Sequence, residues 1–355
     1  MTLPRLSNKT ITVRRVEGKI AFEEAVNSPY FDAYTTYPPT QLITGYDGLP
    51  AKPEFAADIV QRLDDVDKRL ESMDASGVQY AIVSLTAPGI EGVLDPDTAV
   101  DLARKTNDAI YEKYVKAHPD RFAFFACVPM QKPELAAAEL ERAVTQLGAK
   151  GVLINGFSNL STEDLDHIQY LDEPACEPFW AMLNKLRVPL YIHPRSPPPG
   201  QQRLFHGYPT IAQAALAFGT ETAGHALRIM CSGLLDRYPN VKIILGHLAE
   251  GLPFFIHRAQ ERMKLAAEGT NGPHQKTVME YFQTHFYATL AGVKRESTLQ
   301  AAIAEMGESR VLYSVDYPYE SNEEQADWFD GLPLNENTRR QLASENAKLL
   351  FSLDI

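Results

Sequence analysis

The chain has 355 residues, of which 45% are apolar and 23% charged, and its formal net charge at pH 7 is -12. These proportions are typical of a soluble globular protein and argue against a disordered or fibrous chain, while the acidic balance disfavours nucleic acid as a partner. Three scattered cysteines (Cys127, Cys176 and Cys231), no secretory signal and no long apolar run predict a cytoplasmic protein without disulfides or a membrane span.

Alternating strand and helix patterns follow a short N-terminal segment. We interpret residues 1–18 as an extension and residues 19–355 as one domain. Eight short apolar runs are typical of β-strands: residues 19–24, 80–86, 122–130, 150–157, 188–194, 241–248, 285–291 and 310–318. Helical patterns cover residues 55–76, 97–117, 134–147, 176–187, 221–238, 299–306 and, as a closing helix, 335–351. Eight strands alternating with helices predict a single (β/α)8 TIM barrel.

Glycines and loops agree with this division. Gly77, Gly148 and Gly307 each lie where a helix should end before the next strand. Residues 34–53 and 195–209 are rich in proline and glycine and follow strand ends. Loops after the strands form the active-site face of such barrels, so we expect these two segments to cover the substrate.

Strand alternation selects the candidate site residues, because successive side chains point to opposite faces of a strand. In the first run we expect Ile20 and Phe22 to face the helices, which turns Glu23 into the barrel. The same alternation turns His193 and Asp316 inward at the ends of the fifth and eighth runs.

A fourth ionisable residue ends the sixth run. His247 shares its parity with Ile243 and Leu245, and we expect all three to face inward if Ile244 faces the helices. Four ionisable side chains would then meet at the carboxyl ends of the strands, where barrel enzymes carry their chemistry.

Each of these residues alone has an ordinary structural explanation. Glu23 could be a surface carboxylate, a histidine is often a hydrogen-bonded core residue, and an aspartate before Tyr-Pro can open a turn. Their joint placement favours a metal site, because buried carboxylates and imidazoles without a cation are costly. We predict one divalent ion, zinc before manganese or magnesium, and no organic cofactor.

Four motifs then resemble a known family, the decarboxylase branch of the amidohydrolase superfamily. This branch includes 2,3-dihydroxybenzoate, γ-resorcylate, salicylate, 5-carboxyvanillate and aminocarboxymuconate semialdehyde decarboxylases. The resemblance extends from Lys19 to Phe351 with similar order and spacing. The motifs are Lys19-Ile-Ala-Phe-Glu-Glu24, Tyr191-Ile-His-Pro194, Leu245-Gly-His-Leu-Ala-Glu250 and Tyr313-Ser-Val-Asp-Tyr-Pro-Tyr-Glu320.

The resemblance implies a barrel with one metal ion held by Glu23, His193 and Asp316. It also implies that His247 and Glu250 form a pair that assists proton movement. Two departures are informative. Ala25 stands where many relatives have a histidine, and the fourth strand ends without the lysine that a binuclear hydrolase would carbamylate. A two-metal hydrolase is therefore disfavoured.

Arg228 is the basic candidate for the substrate carboxylate, because it lies on a helix that resembles an arginine-containing helix of these decarboxylases. A structural ion pair is an equally good interpretation. The neighbouring His225 is expected to be structural, and Trp180 and Trp328 are expected to pack in the fold.

The predicted activity is metal-dependent, non-oxidative decarboxylation of an ortho-hydroxybenzoic acid resembling 2,3-dihydroxybenzoate. Asp316 would deliver the proton to the ring, and His247 with Glu250 would take the phenolic proton. A mononuclear hydrolase of a lactone or amide is the main alternative, and an inactive binding protein is a third. A homodimer or homotetramer is expected.

Overall fold

The computed structural model describes residues 14–31 and 51–355. Within these ranges eight parallel strands form the centre of the fold, and a short antiparallel hairpin (β5, β6) follows the fourth of them. In chain order the strands are β1 Lys19–Val26, β2 Val78–Leu85, β3 Phe122–Phe124, β4 Val152–Asn155, β5 Ser158–Asn159, β6 Ile168–Gln169, β7 Leu190–His193, β8 Ile243–Leu245, β9 Phe286–Thr289 and β10 Val311–Leu312.

The eight strands close into a barrel across two seams. β1, β2 and β3 form one sheet, and β4, β7, β8, β9 and β10 form the other. A parallel bridge between Ala126 and Val152 joins the sheets on one side, and a parallel bridge between Glu24 and Tyr317 joins them on the other. The predicted (β/α)8 barrel is therefore confirmed, with regular strands shorter than most of the predicted runs.

Helices cover the outside of this barrel. Their bounds are Pro53–Asp64, Val66–Ser76, Pro96–Ile110, Pro133–Leu147, Glu177–Leu186, Ala217–Cys231, Leu234–Arg237, Leu252–Met263, Val278–His285, Glu296–Met306, Asn322–Asp330, Glu336–Arg340 and Asn346–Phe351. Gly77, Gly148 and Gly307 end helices as predicted. No described helix is long and apolar enough to cross a membrane, and all three cysteines are free.

Two of the predicted helices are wrong, because the structure divides each predicted segment into two separate helices. The pattern over residues 55–76 breaks at Asp65, whose extended backbone lets its side chain accept a hydrogen bond from the Lys68 N–H and cap the second helix. The pattern over residues 221–238 breaks at Gly233, which has φ 74°. The helices Leu252–Met263, Val278–His285 and Asn322–Asp330 were not predicted.

Three apolar clusters show which strand residues face the interior. One cluster gathers side chains from all eight barrel strands and is therefore the barrel interior; it includes Ile20, Phe22, Tyr191, Ile244 and Leu312. Phe351 of the last helix enters it, with its ring centroid 5.2 Å from that of Phe22. The other two clusters join the outer strand faces to the helices.

The predicted orientations are correct for β7 and β10 and wrong for β1 and β8. Ile20 and Phe22 face the interior, and the pairing of β1 with β2 shifts between Ala21 and Glu24, so a bulge brings Glu23 to the interior as well. Ile243 and Leu245 pack outward, and Ile244 faces the interior. Strand alternation therefore does not bring His247 to the site.

Residues 1–13 and 32–50 lie outside the described residues. The expected extension over residues 1–18 and the expected substrate-covering loop over residues 34–53 fall largely within them. The boundary between extension and domain stays a prediction, although β1 begins at Lys19.

Candidate metal centre and active site

Glu23 lies at the centre of a group of ionisable side chains at the carboxyl ends of the strands. Its Oε1 is 3.7 Å from Nε2 of His193 and also 3.7 Å from Nε2 of His247. Its Oε2 accepts a hydrogen bond from the Thr289 hydroxyl at 2.9 Å. Oε1 is buried and has no hydrogen-bond donor within the described part of the chain. An unpaired buried carboxylate oxygen is costly, so this atom calls for a cationic partner.

His193 ends β7 and is oriented by Asn155 at the end of β4. Its Nδ1 is 3.0 Å from Asn155 Oδ1, and Asn155 Nδ2 donates to Glu91 Oε2 at 3.2 Å. Because an amide oxygen only accepts, Nδ1 carries the proton and Nε2 presents its lone pair near Glu23. Burial lowers the pKa of His193 to about 4. The ring is therefore neutral at pH 7, which is the form that binds metal.

His247 reaches the site through an unusual turn of the backbone. His247, Leu248, Ala249 and Glu250 have φ of 49°, 54°, 61° and 54°, and Gly251 follows with 80°. These five residues form a left-handed helical turn, a conformation that costs L-residues roughly 1–2 kcal/mol each. The turn places His247 Nδ1 2.7 Å from Glu250 Oε1. Proteins keep a strained backbone of this kind mainly at functional sites, where it fixes the position of particular side chains. Here it fixes the position of His247 relative to Glu250.

The charges around His247 favour its protonated form. Burial alone would lower the pKa of His247, but the carboxylates of Glu250 and Glu23 outweigh burial and raise it well above the usual value. Nε2 of His247 is 3.6 Å from Oδ2 of Asp316. His247 is therefore bounded by three carboxylates, which stabilise the imidazolium that forms when the neutral ring takes up a proton.

Asp316 completes the group from the segment after β10. Its backbone has φ 79°, which for a residue other than glycine is a strained conformation. Burial raises the pKa of Asp316 to about 7. Burial thus favours the neutral form of this carboxyl group, which carries a proton that it can give up.

The residues present fit a divalent cation. One ligand atom each of Glu23, His247 and Asp316 lie within 4.8 Å of one another. Two ligands of one ion at about 2.1 Å are at most about 4.2 Å apart, and the distances from Glu23 Oε1 to both imidazoles, 3.7 Å, meet that condition. The predicted ligands Glu23 and His193 thus lie together, but the group within 4.8 Å that includes Asp316 contains His247 and not His193.

A cavity of about 440 Å³ opens beside these side chains. Its polar wall contains His247, Glu250, Asp316 and Glu320, and its volume lies within the usual range for small-molecule sites. The remaining wall is largely apolar and comes from the segment 214–220 and from Phe255 and Val293. An aromatic ring with polar groups on one edge matches this lining.

Arg228 lies away from the cavity. Its Nε and Nη2 donate to the two carboxylate oxygens of Asp172 at 2.8 and 3.0 Å, and its side chain is 46% exposed. The structural ion pair, which the sequence left open, is thus the arrangement found. His225 is structural as expected, because its Nε2 accepts a hydrogen bond from the Leu171 N–H. Trp180 and Trp328 pack in the outer layers.

Sequence reasoning missed several residues that shape the site. Thr289 at the end of β9 holds Glu23, and Asn155 and Glu91 orient His193. Gly246 precedes the left-handed turn, and a Cβ there would lie 2.6 Å from Glu23 Oε1. The positions of Thr289 and Asn155 at strand ends are the signal that could have identified them.

A parallel barrel with imidazoles and carboxylates at the carboxyl ends of its strands defines a class of metal-dependent barrel enzymes. The model of the amidohydrolase family matches residues 54–353. The chain belongs to the amidohydrolase family and to its decarboxylase branch. The resemblance inferred from the four motifs is confirmed.

Two curated relatives cover almost the whole chain. The γ-resorcylate decarboxylase of Polaromonas sp. is 42% identical over 343 residues, which are 96% of this chain and 100% of the relative. The γ-resorcylate decarboxylase of Rhizobium sp. is 38% identical over 340 residues, 96% of this chain and 99% of the relative.

Solved structures show the same similarity. A 2,6-dihydroxybenzoate decarboxylase bound to 2,6-dihydroxybenzoate is 37% identical with a TM-score of 0.86, covering 95% of this chain and 100% of that one. The dihydroxybenzoic acid decarboxylase of Polaromonas sp., with bound manganese and the inhibitor 2-nitroresorcinol, is 38% identical with a TM-score of 0.87, covering 96% and 98%.

Proposed function

We propose that the protein is a metal-dependent, non-oxidative decarboxylase of ortho-hydroxybenzoic acids, and that 2,6-dihydroxybenzoate is its preferred substrate. The observation that carries the proposal is the group Glu23, His247 and Asp316, whose ligand atoms lie within 4.8 Å of one another beside a cavity of about 440 Å³. The sequence suggested a substrate resembling 2,3-dihydroxybenzoate. Relatives of 38–42% identity named for γ-resorcylate, the 2,6-isomer, now favour that isomer.

Glu23, His193 and Asp316 would hold the divalent ion. When bound, the ion supplies Lewis acidity that orients the substrate carboxylate and ortho-oxygen and lowers the phenol pKa. The sequence predicted zinc, and that prediction is not confirmed. Manganese in the Polaromonas relative leads us to propose Mn²⁺ for this chain. A set of two carboxylates and an imidazole suits either ion.

His247 takes the phenolic proton on Nε2, while Glu250 holds its Nδ1 at 2.7 Å. Asp316, whose pKa burial raises to about 7, gives its proton to the ring carbon that bears the carboxylate. The bond between that carbon and the carboxylate then breaks, its electron pair restores the aromatic ring, and CO₂ leaves. His247 returns its proton to the phenolic oxygen, and Asp316 is reprotonated from solvent.

The structure differs from the sequence interpretation in one detail of this division of roles. His247 Nε2 lies as close to Glu23 as His193 Nε2 does, at 3.7 Å. We keep His193 as the ligand because Asn155 holds its Nδ1 and leaves Nε2 facing Glu23, whereas His247 is held by Glu250 and lines the cavity, where it can reach the substrate.

Elemental analysis of the purified protein and a CO₂-release assay test the proposal together. The panel would contain 2,6- and 2,3-dihydroxybenzoate, salicylate and 5-carboxyvanillate, without oxygen or nicotinamide. We expect one divalent ion per chain, fastest CO₂ release from 2,6-dihydroxybenzoate, and loss of activity on chelation with recovery on adding Mn²⁺. Cleavage of lactones or amides without CO₂ release would instead support a hydrolase. Absence of any turnover with metal bound would support an inactive binding protein.

Two further proposals concern the assembly and location of the chain. We propose a homodimer or homotetramer, supported by the neighbouring exposed side chains of Phe254 and Phe255, which are 67% and 40% exposed. Light scattering at micromolar concentration tests this, and a monomer would contradict it. We propose a cytoplasmic location from the low cysteine content, which fractionation of the source cells would check.

A further inference from the structure

The seam between β1 and the segment after β10 carries two of the proposed metal ligands. Glu24 and Tyr317 form the parallel bridge of this seam, and the Ala25 N–H donates to the Tyr317 carbonyl at 2.7 Å. Glu23 directly precedes Glu24, and Asp316 directly precedes Tyr317. The seam therefore sets the separation between the carboxylates of Glu23 and Asp316.

One arginine contacts both sides of this seam from the Val66–Ser76 helix. Arg69 is 1% exposed, its Nη2 donates to the Ala25 carbonyl at 2.5 Å, and its guanidinium carbon lies 4.4 Å from the centre of the Tyr317 ring. Its Nη1 is 4.0 Å from Glu24 Oε2. A single buried cation thus contacts the residues that follow Glu23 and Asp316.

Glu24 extends these contacts to the last strand. Its Oε1 accepts hydrogen bonds from the Val315 N–H at 3.3 Å and the Ser314 hydroxyl at 3.4 Å. The Ser314 hydroxyl oxygen in turn accepts the Glu23 N–H at 2.8 Å. Side chains therefore connect the two strand ends twice, once through Glu24 and once through Arg69.

We propose that Arg69 is a positioning residue for the metal centre, its guanidinium fixing the two strand ends so that the carboxylates of Glu23 and Asp316 are held at the separation that one ion requires. This inference rests on the proposed function. A planar guanidinium can donate to the Ala25 carbonyl, stack on Tyr317 and lie beside the Glu24 carboxyl group at once. A lysine ammonium has no planar face and cannot reproduce all three contacts.

Arg62 offers a matched control. Its guanidinium carbon lies 5.3 Å from the centre of the same Tyr317 ring, and it pairs with Asp58 at 2.6 Å. Within the described residues it has no hydrogen bond or ion pair with β1. Arg62→Met therefore removes a cation from Tyr317 without removing a contact to the strand that carries Glu23.

The test measures Mn²⁺ binding to metal-stripped protein by isothermal titration calorimetry in the parent, Arg69→Met, Arg69→Lys and Arg62→Met. Residues that orient ligands typically affect metal affinity by about 10- to 100-fold. We expect the Kd for Mn²⁺ to rise by about that factor in Arg69→Met and by about 3- to 10-fold in Arg69→Lys. Arg62→Met should stay within about twofold of the parent. The electron paramagnetic resonance spectrum of bound Mn²⁺ should change in Arg69→Lys and not in Arg62→Met.

The outcomes separate this inference from the function on which it rests. If the parent bound neither Mn²⁺ nor Zn²⁺, the proposed function would fail. If the parent bound Mn²⁺ and both Arg69 variants bound it equally well, with only their thermal unfolding temperature lowered, Arg69 would be structural and the inference overturned. If Arg69→Met did not fold, Arg69→Lys would decide, and an unchanged Kd and spectrum in that variant would overturn the inference.

Discussion

Nδ1 of His247 lies 2.7 Å from Oε1 of Glu250, across one turn of left-handed helix. A right-handed turn would also bring residues 247 and 250 close together, because they are three positions apart. The chain after β8 would then follow a different path. The left-handed turn is what places Nε2 of His247 near both Glu23 and Asp316. We infer that this pair is the proton-accepting part of the site.

Glu250→Gln tests that pair. Gln can still accept from Nδ1, but it lacks the charge that raises the pKa of His247. We expect kcat to fall by about 10- to 100-fold with metal content unchanged. Because the base must be unprotonated, a lower pKa moves the acidic limb of the kcat/KM profile to lower pH. An unshifted acidic limb would mean that Glu250 does not tune the base.

Asp316→Asn tests the proton donor. Asn keeps the shape of the side chain but has no titratable proton, so we expect kcat to fall by at least about 10²- to 10⁴-fold while some metal and substrate binding remains. In D₂O the parent should place deuterium at the former carboxylate position, and this incorporation should be lost with turnover. Activity within a few-fold of the parent, with metal retained, would move the donor role to His247.

Gly246→Ala tests the packing around Glu23 without changing any charge. The added Cβ would lie 2.6 Å from Glu23 Oε1, so the carboxylate must move. We expect the Kd for Mn²⁺ to rise by at least about tenfold. Gly224→Ala is the control, because no described atom outside its own helix and chain neighbours lies within 4 Å of its added Cβ. That variant should bind metal normally and gain about 0.5–1 kcal/mol in unfolding free energy. Normal metal binding by Gly246→Ala would show that Glu23 is not needed in its present position.

Glu221→Gln tests a buried carboxyl group outside the metal centre. Burial raises the pKa of Glu221 from 4.5 to about 7. The folded state therefore holds this proton more tightly than the unfolded state, and stability is lost as the pH rises from about 4.5 to about 7. We expect the variant to gain roughly 1–3 kcal/mol in unfolding free energy at pH 8 and nothing at pH 4, by urea denaturation. The exposed Glu268→Gln should show no such gain, and equal behaviour of both variants would contradict the prediction.

Arg228→Ala tests the sequence hypothesis that this arginine binds the substrate carboxylate. Because Arg228 pairs with Asp172 and its side chain is 46% exposed, we expect the Michaelis constant for 2,6-dihydroxybenzoate to stay within about threefold of the parent. The loss of a partly exposed ion pair should cost at most about 1 kcal/mol of stability. Loss of a charged contact to the substrate would raise the Michaelis constant by about 50-fold or more. A rise of that size would show that Arg228 binds the substrate carboxylate after all.

The sequence by itself determined the barrel and the inward placement of His193 and Asp316. Apolar runs alternating with helical patterns fix the order of the eight strands, because each strand needs a crossover helix to lie parallel to the next. The alternation of side chains was enough for His193 and Asp316, since Leu190, Ile192, Val311 and the residues after them keep regular strand parity.

Only the tertiary structure decided how Glu23 and His247 reach the site. Alternation predicted the wrong faces of β1 and β8, yet a bulge after Ala21 and a left-handed turn after Gly246 bring both side chains inward. Such backbone irregularities depend on pairing with a neighbouring strand and on packing around the turn, which are long-range interactions with no local pattern. The same reason applies to Arg228, because its pairing with Asp172 joins residues 56 positions apart in the chain.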